Sequence, residues 1–549
     1  MIPFVEGLAS LSLLSCDEKS AQQARRIGCS PLTALLLLQR GVTLETDLAE
    51  ARALFRPSLD GALSGLDLGS GLADAARELD SLSPETRLVV YGDYDVDGVA
   101  STALAVEYGL LKGARVRYYI PHRHREGYGF HRKAAQTIVR DGCDFLIVLD
   151  CGSRAVEAVS LVREASIPIV VFDHHLDEGE RARPSGLVNP HIDGDGAGRT
   201  LCATAVFWAA LAKMGVNPAW LRDRLDLVAL ATLADCVPLG PLNRALVKAG
   251  MDQIGRGRRP GLQALLEKLA IGRRDLSVNS LVMRVIPCLN AAGRLDVADR
   301  AVKVLLGGDD GDAEELVTLN RRRQLLSGQV HDEASSSSVD DALVLSSEEW
   351  PVGVLSGVAS RLCRERECPV VLAAPVGDLM RGTLRLPGGG NAVEVLSSLA
   401  DSLETWGGHR LAAGFAVRKR QWPEVQEALA GILRDVPCQG EPLEAFRADP
   451  GDFSLSLWRE IESLGPFGVG NEAPLFFCPW MGAERIIPLG KDGRHVKVER
   501  SGHSLLAFGG AGSFESLQIR PAGLLYSVRE NVWQGRRRLQ FLIERIVLP

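Results

Sequence analysis

The chain predicts an α/β protein: a parallel-sheet domain, a long helical connector, a second α/β unit and a small C-terminal β-barrel. Three observations lead there. Apolar strands recur between helical stretches from residue 86 to about 300, an alternation that builds parallel sheets covered on both faces. A polar serine run, Ser335-Ser336-Ser337-Ser338, follows a helical stretch that includes Ala313 to Leu326, which suits a linker. The tail after about residue 445 carries short β-rich pieces such as Val496-Lys497-Val498 and Leu539 to Ile543 between glycine-rich turns.

The elements follow in order. Residues 1–85 form an opening helical segment, with helices over Ala21 to Arg26 and Leu32 to Leu38. Residues 86–300 hold the first sheet, with helices over Val99 to Leu111 and Leu201 to Met214. Residues 301–340 are the connector and its linker. Residues 341–430 hold a strand at Pro369 to Ala373, the glycine turn Gly388-Gly389-Gly390 and a helix over Ala392 to Leu403. Residues 445–549, past the break at Pro437 to Pro442, are the barrel.

The strands of the first sheet end in chemistry. Leu88-Val89-Val90 runs into Asp93-Tyr94-Asp95-Val96-Asp97-Gly98. Phe145 to Leu149 ends in Asp150, and Pro168 to Phe172 ends in Asp173-His174-His175. In an open parallel sheet the ligand crevice lies beyond the carboxyl ends of the strands, so these groups converge although some eighty residues separate them. Asp235, closing the apolar stretch Leu227 to Ala234, is a fourth contributor. Oxygen donors with one or two imidazoles suit Mg²⁺ or Mn²⁺, and a pair of such ions is a device for hydrolysing phosphate esters. An EF-hand is excluded, because the twelfth position counted from Asp93 is Leu104 rather than glutamate.

Composition narrows the class. At 549 residues and 46% hydrophobic, the chain is long enough for three or four domains. Its 11 cysteines include no Cys-x-x-Cys pair, and the odd number argues against a disulfide framework and for a cytoplasmic home. Leu13-Leu14-Ser15-Cys16 mimics a lipoprotein cleavage box, but no lysine or arginine precedes it and Glu6 sits within the opening segment 1–16. No apolar stretch has the length of a membrane span. The formal net charge of −7 does not suit nucleic-acid binding by the chain as a whole. Local basic clusters do exist at Arg256-Gly257-Arg258-Arg259, Arg273-Arg274, Arg321-Arg322-Arg323 and Arg536-Arg537-Arg538, and a few of them lining a groove would track a phosphate backbone.

The motifs Asp93 to Gly98, Asp150-Cys151-Gly152, Asp173-His174-His175 and Ala234-Asp235-Cys236-Val237-Pro238-Leu239 resemble, in order, those of the DHH phosphoesterase superfamily. Ile120-Pro121-His122-Arg123, Glu126-Gly127-Tyr128-Gly129 and Leu289-Asn290-Ala291-Ala292-Gly293-Arg294-Leu295 resemble segments of the RecJ family of single-strand-specific DNA exonucleases. Gly357-Val358-Ala359-Ser360-Arg361 and Gly407-Gly408-His409 with Ala412-Ala413-Gly414-Phe415 look like the DHHA1 domain. Gly465 to Asn471 with Pro474-Leu475-Phe476 resembles the entry to that family's oligonucleotide-binding (OB) fold.

The resemblance implies a 5′-to-3′ single-stranded-DNA exonuclease of recombination and repair, releasing mononucleotides by a two-metal mechanism. It implies Asp93, Asp95, Asp150, His174 and Asp235 as ligands of two divalent cations, Mn²⁺ or Mg²⁺, with His175 also catalytic. Asp97 and His175 are alternatively residues that orient a ligand. Arg123, Asn290, Arg294, Arg385, Gly408 and His409 would bind the substrate. Implied partners are single-stranded DNA, single-strand-binding protein and a recombination helicase, with a monomeric enzyme. Two other classes share parts of the pattern: a phosphoesterase for short oligonucleotides and a catalytically inactive DNA-binding scaffold. The C-terminal stretch speaks against the first and the retained carboxylates against the second. Four places depart from the family pattern: Cys288 where arginine is usual, Leu386 where serine is usual, Tyr91 where some relatives carry histidine, and Asn471-Glu472-Ala473-Pro474 in place of a more usual Asn-Pro. The first two bear on recognition of a 5′-phosphate.

Overall fold

The computed structural model describes residues 4–5, 10–55, 57–123, 125–176, 179–336, 342–437, 442–490, 493–533 and 536–549. The chain divides into two compact units, one of residues 66–237 and 246–441, the other of residues 1–65, 238–245 and 442–549.

The first unit opens with strand Arg87–Tyr91, whose four last residues are buried. It lies second from one edge of a five-stranded parallel sheet, flanked on one side by Arg115–Tyr119 and on the other by Phe145–Leu149, Ile169–Phe172 and Gly186–Val188 in turn. Near-continuous Val/Ile/Leu composition fits strands covered on both faces. Val89, Leu146, Val148 and Val171 pack on Ala134, Ile138, Val159 and Val162 of two helices. Residues of opposite parity face the other way, and Phe172 meets Phe207 of helix Ala203–Lys213 edge-on at 4.8 Å. Strands are added on one side of Arg87–Tyr91 first and then, from Phe145–Leu149 on, on the other, so the crevice at the carboxyl ends of these two neighbours is the topological switch point.

Helix Val96–Leu111 starts inside the stretch an EF-hand loop would occupy, with Leu104 buried at its centre, in keeping with the exclusion of that loop. Asp235 follows helix Leu225–Ala234 rather than a strand. The connector is helix Asp310–Ser335, 26 residues capped by Asp309, longer than the stretch expected. Residues 337 and 338 of the serine linker, and residues 438–441 of the second break, lie outside the described residues.

A second, mixed sheet follows the connector, ordered Thr405–His409, Ala412–Arg418, Leu379–Arg385, Val370–Val376 and Leu343–Ser346. One face packs on Trp422, Val425 and Leu429, the other on Val354, Val358 and Leu362 of helix Val352–Arg366 together with Val330 and Ala334 of the connector. The helix expected over Ala392 to Leu403 ends at Ser397, and a single 3₁₀ turn, Ala400–Ser402, completes the segment.

In the other unit the long antiparallel pair Gly523–Trp533 and Arg536–Val547 is the backbone of a nine-stranded sheet. Phe476, Tyr526 and Phe541 form its core with Leu36 and Leu37 of helix Pro31–Gln39. The expectation that residues 1–85 are purely helical needs correcting. Leu11–Leu14 is a strand paired in parallel with Leu443–Phe446, and Phe4–Val5 pairs with Ile546–Val547. A four-residue leucine and serine strand carries little β-propensity, and its partner lies more than four hundred residues away. Among the described residues no helix is long and apolar enough to cross a membrane.

Candidate metal centre and phosphate site

The strand ends deliver their acids to one place. Asp93, Asp95 and Asp150 offer ligand atoms within 4.8 Å of one another, as do Asp97, His174 and Asp235, and Asp150, His174 and His175. His174 Nε2 stands 3.3 Å from Asp150, 3.6 Å from Asp235 and 3.7 Å from Asp97. All six expected catalytic residues are thus brought together, and Asp97 joins them.

Backbone N–H groups aim several of the carboxylates. Asp95 caps helix Val96–Leu111, accepting from the amides of Asp97 and Gly98 at 3.0 and 3.1 Å. Asp97 accepts from the amides of Ala203 and Thr204 at 2.7 and 2.9 Å and from the Thr204 hydroxyl at 2.6 Å. It sits at the positive end of helix Ala203–Lys213, where an anion is stabilised. Asp150 itself has φ 61°, a left-handed turn that aspartate tolerates, directly where the strand stops. Asp173 turns inward instead: its carboxylate accepts from the amides of Ser153, His174 and His175 and from His175 Nδ1 at 2.8 Å.

Crowded and desolvated, three of the acids resist ionisation. Burial and the neighbouring carboxylates push Asp93 and Asp150 well above the usual carboxylate range and Asp235 up to about 8. Burial lowers His174, keeping a neutral imidazole, whereas the hydrogen bond and charge of Asp173 outweigh burial and raise His175 to about 9. Asp93 Oδ1 and His174 Nε2 are buried with no hydrogen-bond partner among the described residues. Buried polar atoms are rarely left so. A cation supplies what both lack, and the donor set of carboxylate oxygens with imidazole fits Mg²⁺ or Mn²⁺.

Sequence reasoning left Tyr128 without a role. Its hydroxyl lies 2.9 Å from His175 Nδ1 and donates to the Asp150 carbonyl at 3.3 Å, with the two rings 5.1 Å apart. The segment Glu126 to Gly129 was the available signal. Tyr91 is spoken for: its buried hydroxyl donates to the Gly129 carbonyl at 2.8 Å, so it props that loop.

The expected phosphate contacts surround a second crowd, of guanidinium groups. Arg123 lies over the Tyr94 ring at 4.7 Å, beside the acids. Arg294 closes helix Ile286–Leu295, which approaches the Tyr94 loop so closely that a Cβ on Gly293 would meet the Tyr94 carbonyl at 2.4 Å. Arg294 donates to the Ser356 hydroxyl at 3.2 Å and Arg385 to the Ser360 hydroxyl at 2.9 Å, so one face of helix Val352–Arg366 holds both. Burial, then Arg123 and Arg323, lower Arg294 to about 10. Asn290 is half-buried on the Arg294 helix.

His409 ends the exposed edge strand Thr405–His409, in register with Ala412, itself paired with Arg385. Gly408 is required by its backbone: φ is 153°, and a Cβ would lie 2.4 Å from the Ala412 carbonyl. The departures from pattern are both buried, Leu386 among the core of the second sheet and Cys288 on the Arg294 helix. Of the basic clusters, the first is largely structural. Arg258 pairs with Asp223, and buried Arg259 pairs with Asp226 and Glu107.

Comparison with known proteins agrees with this geometry. The DHH family, N-terminal domain, matches residues 87–232, the DHHA1 domain matches 340–435 and the RecJ OB domain matches 446–545. Fold and site together define a phosphoesterase of the DHH class. The single-stranded-DNA-specific exonuclease RecJ of Thermus thermophilus is 34% identical over 497 residues, 87% of this chain and 71% of that protein. Its crystal structure in complex with Mn²⁺ superposes with a TM-score of 0.81 at 28% identity, covering 98% of this chain and 79% of the other, and its Mg²⁺ complex gives 0.76 at 28% identity, covering 98% and 78%. The chain belongs to the RecJ family.

Proposed function

We propose that the protein is a metal-dependent exonuclease that degrades single-stranded DNA from its 5′ end to mononucleotides. The observation that carries this reading is the convergence of Asp93, Asp95, Asp150, His174 and Asp235, two of them with buried ligand atoms that have no hydrogen-bond partner among the described residues, next to an arginine cluster. These five residues would hold two divalent ions, Mn²⁺ or Mg²⁺. Such ions supply Lewis acidity that activates water and offsets charge on the phosphoryl group and leaving oxygen.

The chain's own residues do the rest. Asp97 fixes the helix that carries Thr204 and closes the acid cluster from behind. Asp173 holds His175 by Nδ1, which keeps a proton on that imidazole available to the leaving oxygen. Arg123, Arg294 and Arg385 would grip phosphates, for which the planar guanidinium fork is suited, with Asn290, Gly408 and His409 alongside. Domains at 86–300, 341–430 and 445–549 belong to this reading, and the ranges of the matching families support them. So do an initial segment of residues 1–85 and a connector of 301–340. A monomer working in the cytoplasm with single-strand-binding protein and a recombination helicase completes it, supported by the family resemblance.

The test is digestion of single-stranded DNA labelled at either end, with Mn²⁺ and with Mg²⁺, beside a duplex and an RNA of the same sequence. Early release of mononucleotide from the 5′ end with the duplex spared is expected. Hydrolysis confined to very short oligomers, or binding without hydrolysis, would overturn it.

A further inference from the structure

The basic run Arg321-Arg322-Arg323 lies on connector helix Asp310–Ser335, and its members differ. Arg321 and Arg322 are exposed, whereas Arg323 is partly buried. Arg323 Nε donates to Asn320 Oδ1 at 3.0 Å, and Asn320 Nδ2 in turn donates to the Cys288 sulfur at 3.3 Å. Cys288 is fully buried on the helix that carries Asn290 and Arg294. A side-chain amide has one donor end and one acceptor end. Anchoring its donor end on Cys288 therefore turns its acceptor end to Arg323 and fixes that guanidinium beside the Arg294 helix.

Among the described residues, the hydrogen bonds of Arg323 and Arg385 go to amide, hydroxyl and carbonyl oxygens, all neutral acceptors, and both cations lie close enough to Arg294 to lower it. Bringing such cations together costs energy that neutral acceptors do not offset, and an anion does. Arg259 shows the alternative in the same unit: there the buried guanidinium has two carboxylates of its own.

We infer that Arg323, oriented through Asn320 by Cys288, is a further substrate-binding residue that contacts a backbone phosphate of the single strand beside Arg294. The inference rests on the exonuclease reading and deepens it. It selects one residue from a basic run and gives the buried Cys288 a positioning role.

The test compares wild type with Arg323→Gln, which keeps most of the packing, and Arg323→Lys, which restores charge alone. Binding of a fluorescent single-stranded oligonucleotide is measured by anisotropy in EDTA across a salt series. One lost phosphate contact lowers the slope of log K against log salt by about 0.7. Arg323→Gln is expected to show that loss, Arg323→Lys to recover the slope, and Asn320→Ala to weaken binding with Arg323 still present. With Mn²⁺, KM for DNA should rise roughly tenfold in Arg323→Gln while kcat stays within about twofold, as for a lost contact common to ground and transition states. An unchanged slope and KM in Arg323→Gln would overturn the inference. Because the slope is a binding quantity, it tests Arg323 separately from turnover; a changed slope with no hydrolysis by wild type would overturn the exonuclease reading alone.

Discussion

The first unit holds two crowds of like charge, and it holds them differently. The carboxylates of Asp93, Asp95, Asp97 and Asp150 leave the chain just past strand ends or at a helix start, on short side chains, those of Asp95 and Asp97 aimed by backbone amides. The guanidiniums of Arg123, Arg294, Arg323 and Arg385 come from a loop, two helices and a strand, on long side chains steadied by hydroxyls, carbonyls and an amide. A metal centre tolerates little displacement of its ligands, so rigid backbone must set them. A phosphate backbone is a deformable ligand, and flexible cations suffice.

Removing one acid should therefore have the largest effect. Asp150→Ala is expected to lower kcat on single-stranded DNA roughly 10⁴-fold, about 5.5 kcal/mol, with the circular dichroism spectrum unchanged. Retained turnover would break the assignment of that crowd to chemistry. The buried ion pairs provide the contrast. Arg259, 9% exposed between Asp226 and Glu107, balances its neighbours, so Arg259→Ala should cost about 3–5 kcal/mol of stability. A denaturant titration reads this directly, and Mn²⁺ affinity of the folded variant should be unchanged.

The same contrast explains what the sequence made legible. Short acids at the ends of apolar runs announce themselves, because strand period and the switch-point rule fix where they go; all three strands lie within a residue or two of the expected bounds. Asp235 was legible as a residue closing an apolar stretch, although the stretch is a helix. Tyr128, Thr204 and Ser356 were not, since each acts through a hydroxyl whose partner is set by tertiary packing. Arg323 was visible only as part of a run, for nothing local distinguishes it from Arg322. The strand Leu11–Leu14 was missed for want of any local signal to its distant partner.

Charge crowding also sets how stability follows pH. Asp93, Asp150 and Asp235 have raised carboxyl pKa values in the metal-free fold, Asp235 at about 8. A carboxyl with a higher pKa folded than unfolded binds its proton more tightly in the folded state, so stability falls as pH rises from about 4 through about 8. His175, raised to about 9, adds to the loss at the alkaline end, and His174, lowered, opposes it as a single group near neutrality. In EDTA the melting temperature should decline between pH 5 and pH 8. Saturating Mn²⁺, at a hundred times its Kd, should restore about 2.7 kcal/mol and reverse the trend, because the ion displaces those protons. A melting temperature indifferent to chelator would argue that the acids are not its ligands.

The smallest effect tests how finely the acid crowd is aimed. Tyr128 contributes one hydroxyl, set against His175 Nδ1 and the Asp150 carbonyl at 2.9 and 3.3 Å. Tyr128→Phe keeps the ring against His175 and removes only those contacts, worth about 0.5–1.5 kcal/mol. If carboxylates and imidazoles depend on exact placement, kcat should fall roughly three- to tenfold while DNA affinity and its salt dependence stay fixed. An arginine variant has the opposite signature, a changed salt slope with kcat kept. A Tyr128→Phe enzyme that altered the salt slope would place Tyr128 on the DNA path and erase the line between the two crowds.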